Sequence, residues 1–390
     1  MSTINFDNAS ASPVDPRVVE AMMPYFRDEY GNPSSFHSIG RRAKEAMEDA
    51  RSKVAELIGA ERSDEIIFTS GGTESNNLAL IGTAYRNKRK GTHIIISAVE
   101  HISVLNAAKF LQRNGFKLTV LPVDKYGLVD LEALKSILTD DTILVSIMLA
   151  NGEVGTIEPV REACEIVKEK GAYFHTDAIA ACGQIPVRVE ELEVDLISLS
   201  SSDMYGPKGV GALYVKKGTP ISPITYGGGQ ERGLRSGTEN VPGIVGMGEA
   251  ARIVKAEMKK EAERLTAMRD RLIEGVLKRI DYSYLNGHPT RRLPNNANIR
   301  FSFIEGESII LSLEMEGILA STGSACTSKT LMPSHVLTAM GIKHEEAHGS
   351  IQFTMGRYNK ESDVDKLLNI LPGIVSKLRE MSPLTPKKEE

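Results

Sequence analysis

Cys326 stands in Ser321-Thr-Gly-Ser-Ala-Cys-Thr-Ser328, a run of small residues with no bulky neighbour to bury it. A structural cysteine normally has apolar company, as Cys164 has along its helix, so this thiol suits a nucleophile or a sulfur carrier. Lys329 nearby favours the thiolate modestly, because solvent screens an exposed charge. Cys182, between Ala181 and Gly183, reads as packing. Phe68-Thr-Ser-Gly-Gly-Thr-Glu-Ser75 joins a strand to a helix through two glycines and several hydroxyls. Free N–H groups at a helix start, approached closely over glycine, make a phosphate site; an ordinary Thr or Ser cap gives the same pattern. His101 follows a strand in AVEH, and Asp177 ends another in HTDA. Polar residues at strand ends face the crevice where α/β sheets bind ligands, although each also suits a turn or helix cap. Ser200, Ser201 and Ser202 end the next strand in a hydroxyl-rich turn. Tyr226–Thr238 is dense in glycine with two arginines, which suits an anion-binding or interface loop.

These residues need a scaffold, and the pattern around them supplies one. Ala43, Met47, Ala50, Val54 and Leu57 recur at three and four, predicting an amphipathic helix over 40–59 closed by Gly59. Short apolar runs follow at Glu65–Ser70, His93–Ala98, Thr142–Leu149, Ala172–Thr176, Asp195–Leu199 and Val210–Val215. Most are apolar throughout, as expected of strands covered on both faces. Helical stretches such as 101–114 and 160–170 lie between them, so the fold class is α/β with a mainly parallel sheet. A long helix marked by Met258, Ala262, Leu265, Leu272, Val276 and Ile280 opens a different pattern, with strands at Asn298–Phe303 and Ser350–Met355. The expected division is a large α/β domain over 15–255 and a small α+β domain from 1–14 and 256–390, the latter carrying the Cys326 loop.

Composition narrows the function classes. The 390 residues are 41% hydrophobic and 25% charged, with a net charge of −4. That balance gives no concentrated positive field for nucleic acid. No apolar run approaches the ~18–20 residues that span a bilayer, so no membrane association is expected. Three cysteines without a CxxC pair do not make a disulfide framework and point to a reducing compartment. MSTINFDNAS lacks the basic and apolar regions of a secretory signal, so a cytoplasmic protein is expected.

In order, SGGTES, AVEH, NGEVG, HTDA, SLSSSDMYGPKGVGALYV, GGGQERGLRSGTEN and STGSACTSK resemble the cysteine desulfurases of iron–sulfur cluster assembly. These are the NifS-like group of fold-type I pyridoxal-phosphate enzymes, and the resemblance covers nearly the whole chain. Related aminotransferases share the scaffold, but the SGSAC loop points to desulfurases. The resemblance implies a homodimer that takes sulfur from L-cysteine, leaving alanine and a persulfide on Cys326, and serves a cluster scaffold protein. It assigns Gly72, Thr73 and Ser200 to the phosphate of pyridoxal 5'-phosphate, with Ser202 beside them and Thr238 reaching across from the neighbouring subunit. Asp177 would pair with the pyridine nitrogen and His101 would lie against the ring.

Four positions depart from the family pattern. The Schiff-base lysine directly precedes [IM]YGPKG in the family, and here that residue is Asp203, after Ser202. A carboxylate cannot condense with an aldehyde, so the cofactor is expected to bind without covalent attachment. Gly152 replaces the second asparagine of NNE, Ala180 a glutamine, and Gln352 the arginine of SIRF that holds the substrate carboxylate. The alternative these departures raise is a catalytically degenerate dimeric platform. In it Cys326 accepts sulfur or ligates the iron of a transient iron–sulfur cluster on the scaffold protein.

Overall fold

The computed structural model describes residues 3–323 and 333–386. Cys326 therefore lies outside the described residues, as does Lys329. Seven strands form the main sheet, in the order Ile66–Thr69, Gly211–Val215, Leu196–Ser200, Tyr173–Asp177, Thr142–Ser146, His93–Ser97 and Lys117–Leu121. All neighbours run parallel except Gly211–Val215, which is antiparallel to both of its partners. Most of these strands are buried along their whole length, which is why they read as unbroken apolar runs. The edge strand Lys117–Leu121 is mostly solvent-facing and carries no such run, so the sequence pattern misses it.

The expected helix over 40–59 spans Ser38–Ile58 and ends as read, on Gly59 in the left-handed conformation at φ 67°. It packs against a helix of 39 residues, Val241–Arg279, that starts well before the apolar pattern at Met258. The early part is glycine-rich and packs closely against its neighbours. A Cβ on Gly248 would lie 2.5 Å from the Ala50 Cα. The same helix then turns Leu265, Met268, Leu272 and Val276 into a second apolar cluster with Phe6, Ile299, Phe301, Ile351 and Phe353. That cluster lines a three-stranded antiparallel sheet of Ser350–Thr354, Asn296–Phe301 and Ser283–Asn286.

The loop around Tyr226–Thr238 uses its charges inside the molecule. Glu231 is buried and takes both Arg51 guanidinium nitrogens at 2.7 Å, while also accepting the Phe68 N–H at 2.8 Å. Arg232 donates to the Ile66 carbonyl and Arg235 pairs with Glu74 at 3.0 Å. Both arginines thus brace the start of the sheet.

Glu158 shows what the same interior does to a lone carboxyl. Its Oε2 accepts the Val129 N–H at 3.0 Å, Oε1 has no partner, and burial pushes its pKa up to about 8. A carboxyl held neutral by the fold favours folding fully below its ordinary range and loses that contribution as pH rises through the folded value. Between pH 5 and pH 8.5 the loss should reach about 3–5 kcal/mol. Glu158→Gln should flatten the pH dependence of urea unfolding by this amount; equal slopes for both proteins would refute the assignment.

Candidate active site

The carboxyl ends of the parallel strands open into a cavity of about 530 Å³. Gly72, Thr73, His101, Asp177, Ser200 and Ser202 all line it, so six residues separated by up to 130 positions in sequence share one wall. Thr238 does not. It is exposed beside a separate, smaller cavity that also holds Tyr25 and Tyr30.

Asp177 is the innermost group, 4% exposed at the end of its strand. Its Oδ1 accepts the Ile179 N–H at 2.9 Å and its Oδ2 accepts Asn76 Nδ2 at 2.7 Å. Burial raises the carboxyl above its ordinary range, while the hydrogen bonds from Ile179 and Asn76 and the nearby His101 pull the other way. Asn76 also donates to Ser103 Oγ at 2.9 Å, which leaves the Ser103 hydroxyl to donate to His101 Nδ1 at 2.7 Å. The Ser103 N–H reaches the same ring nitrogen, so Nδ1 is an acceptor and the proton of neutral His101 sits on Nε2. A continuous hydrogen-bonded line therefore runs from Asp177 to His101. Sequence reasoning found both ends and missed Asn76 and Ser103, whose only signal is their place in the first turn or so of helices that start at the pocket.

Gly72 and Thr73 sit at the start of helix Gly72–Asn77, which continues through Leu78–Gly82 into Thr83–Asn87. Gly71 enters it at φ 147°, and a Cβ on Gly72 would lie 2.1 Å from Ile179 Cδ1. Ser200 Oγ and Ser202 Oγ stand 2.9 Å apart across from this turn's strand neighbours.

All four departures line the same pocket. Gly152 and Ala180 face each other, with the Ala180 Cβ 3.3 Å from where a Gly152 Cβ would be. The Gln352 amide is already engaged, donating Nε2 to the Gly152 carbonyl at 2.5 Å. Beside it Glu153 has one oxygen buried without a partner, and burial pushes its pKa up to about 7. Asp203 accepts the Ser202 hydroxyl at 3.0 Å, and desolvation raises it to about 6. Lys208 is exposed and is not among the residues that line the pocket. Cys164 and Cys182 are buried and their thiols are pushed up to about 12, which fits the packing role read for them.

The chain belongs to the aminotransferase class-V family, whose model matches residues 4–367. It is 60% identical over 379 residues to cysteine desulfurase IscS 1 of Archaeoglobus fulgidus, covering 97% of this chain and 98% of that one. It is 54% identical over 385 residues to cysteine desulfurase IscS of Methanosarcina thermophila, covering 99% and 95%. The solved structure of a NifS-like protein superposes with a TM-score of 0.90 at 41% identity, covering 96% of this chain and 100% of that one. The expected fold-type I architecture is thereby established.

The family's cofactor is pyridoxal 5'-phosphate. The pocket fits its two ends: a helix start at Gly72 for the phosphate, and the buried Asp177 carboxyl for the ring nitrogen. It does not fit covalent capture, because no lysine lines the pocket among the described residues. Borohydride reduction of protein loaded with pyridoxal 5'-phosphate should therefore fix no pyridoxyl-lysine, and dialysis should remove the cofactor. A reduced adduct on Lys208, found by peptide mapping, would contradict this.

Proposed function

We propose that this protein supplies sulfur for iron–sulfur cluster assembly as a cysteine desulfurase-like protein. L-cysteine is the source, Cys326 the acceptor, and alanine the co-product. The sulfur leaves cysteine as the Cys326 thiol becomes a persulfide, so atoms and electrons balance without an outside oxidant. When bound, pyridoxal 5'-phosphate supplies an electron sink for bonds at the amine-bearing carbon. Gly72, Thr73 and Ser200 would hold its phosphate, with Ser202 backing Ser200. Asp177 would keep the proton on its ring nitrogen, and the Asn76–Ser103 line orients His101 toward the ring.

The observation that carries this reading is the arrangement of the pocket wall. Gly323, which precedes the undescribed segment, and Ser334, the second residue after it, line the same cavity as Asp177 and His101. The test is mass spectrometry of the Cys326 peptide after incubation with pyridoxal 5'-phosphate and L-cysteine. One added sulfur with matching alanine supports the proposal, and an unmodified peptide rejects it.

Asp203 and Gln352 favour a second reading, the dimeric platform for a scaffold protein. There Cys326 takes sulfane sulfur from a donor persulfide, which leaves as the thiol, or ligates a cluster iron, and cysteine leaves it unmodified. In both readings the protein is a cytoplasmic homodimer. Exposed Phe26, Tyr30, Phe36 and Tyr226 supply apolar surface for it, and Thr238 shares a cavity with Tyr30 where a partner's phosphate contact would form.

A further inference from the structure

The cofactor pocket is lined by four carboxyl groups, Glu100, Glu153, Asp177 and Asp203, and by no lysine or arginine among the described residues. Asp177 has a clear task at the ring nitrogen. Asp203 does not. It occupies the place from which a lysine would reach the cofactor's carbonyl carbon, and its oxygens meet only neutral hydroxyls. Oδ2 accepts from Ser202, which in turn lies against Ser200. Asp203 is partly exposed, so it faces the cavity rather than the core.

The wall beyond is also acceptor-rich. Glu100 Oε1 takes the Ser97 hydroxyl and the Met148 N–H, both at 2.7 Å. Its Oε2 has no partner, although the residue is 1% exposed. Asn295 Oδ1 is likewise buried and unpaired on the same cavity. An aldehyde presents one more acceptor oxygen to this surface. An amine presents N–H donors, and when protonated a charge that a carboxylate complements in a charge-assisted hydrogen bond.

We propose that this pocket selects the amine-bearing form of the cofactor, pyridoxamine 5'-phosphate, over the aldehyde, with Asp203 accepting from the amine nitrogen. The inference rests on the reading of the cavity as a cofactor site and adds which chemical form it holds; turnover of L-cysteine takes the aldehyde form, so this preference goes with the platform reading. Burial leaves Asp203 near 6, so at neutral pH the group is an uncompensated carboxylate until such a donor arrives.

Equilibrium dialysis of the full chain with each form tests it. The chain has no tryptophan, so pyridoxamine emission is read without overlap. Wild type should bind pyridoxamine 5'-phosphate roughly tenfold more tightly than pyridoxal 5'-phosphate, the range of one charge-assisted hydrogen bond. Asp203→Asn should bring the two within about twofold, and Asp203→Ser provides a second variant should the amide disturb folding. Equal or tighter binding of the aldehyde form by wild type overturns the proposal, as does an undiminished preference in both variants. Binding of neither form overturns the cofactor reading as well. Absence of a Cys326 persulfide rejects the desulfurase reading while leaving this selectivity standing.

Discussion

Asp203→Lys should convert a dialysable cofactor into a retained one, with borohydride fixing a pyridoxyl group on residue 203. The cavity has about 530 Å³ of free space, and Asp203 already faces it, so a longer side chain meets room rather than core. Asp177, Gly72 and Thr73 are unchanged by the substitution and would hold the two ends of the ring. A lysine that also moves protons should raise cysteine turnover by ~10²–10⁴. Gln352 limits the gain, because its amide is tied to the Gly152 carbonyl and offers a substrate carboxylate no charge. Adding Gln352→Arg should contribute roughly another tenfold, the range of a hydrogen bond to a charged group. An unchanged absorption spectrum in a well-folded Asp203→Lys protein would show that the ring pocket is not preserved.

Cys326→Ser should abolish sulfur transfer altogether while leaving fold and cofactor binding as they are. The other two thiols offer no substitute. Cys164 and Cys182 are 0% and 1% exposed, and burial pushes both to about 12, so neither forms a thiolate at neutral pH. Alkylation followed by peptide mapping should mark Cys326 first by a wide margin. If Cys164 or Cys182 reacts ahead of it, or if the serine variant still supports cluster assembly, the thiol assignment fails in both functional readings.

The parallel strands were legible because burial on both faces removes any alternation, leaving runs such as Ile94-Ile-Ile96 that few other structures require. Asp177 and His101 were legible for a related reason: a charged or polar residue ending such a run has to face the crevice. Asn76 was not, since an asparagine one turn into a helix looks like any surface residue until the strand end beside it is known. The four departures could be named from motifs, but not their convergence. Gly152, Ala180, Asp203 and Gln352 lie far apart in sequence, and only the fold brings them to one cavity. The early part of the long helix escaped because its glycines look like breakers, whereas they allow close packing, Gly248 against the Ala50 backbone among them.

The helix Val241–Arg279 has one more implication. Its first half is anchored under the parallel sheet through Ile244, Met247, Ala251 and Val254, and its second half under the antiparallel sheet through Leu265 to Val276. Between Glu249 and Glu274 it contains neither glycine nor proline, the residues at which helices ordinarily bend. It therefore works as a strut across the boundary between the two cores. Gly152 stands on one side of that boundary and Gln352 on the other, joined by a hydrogen bond. The two cores that frame this cavity therefore share one uninterrupted length of backbone.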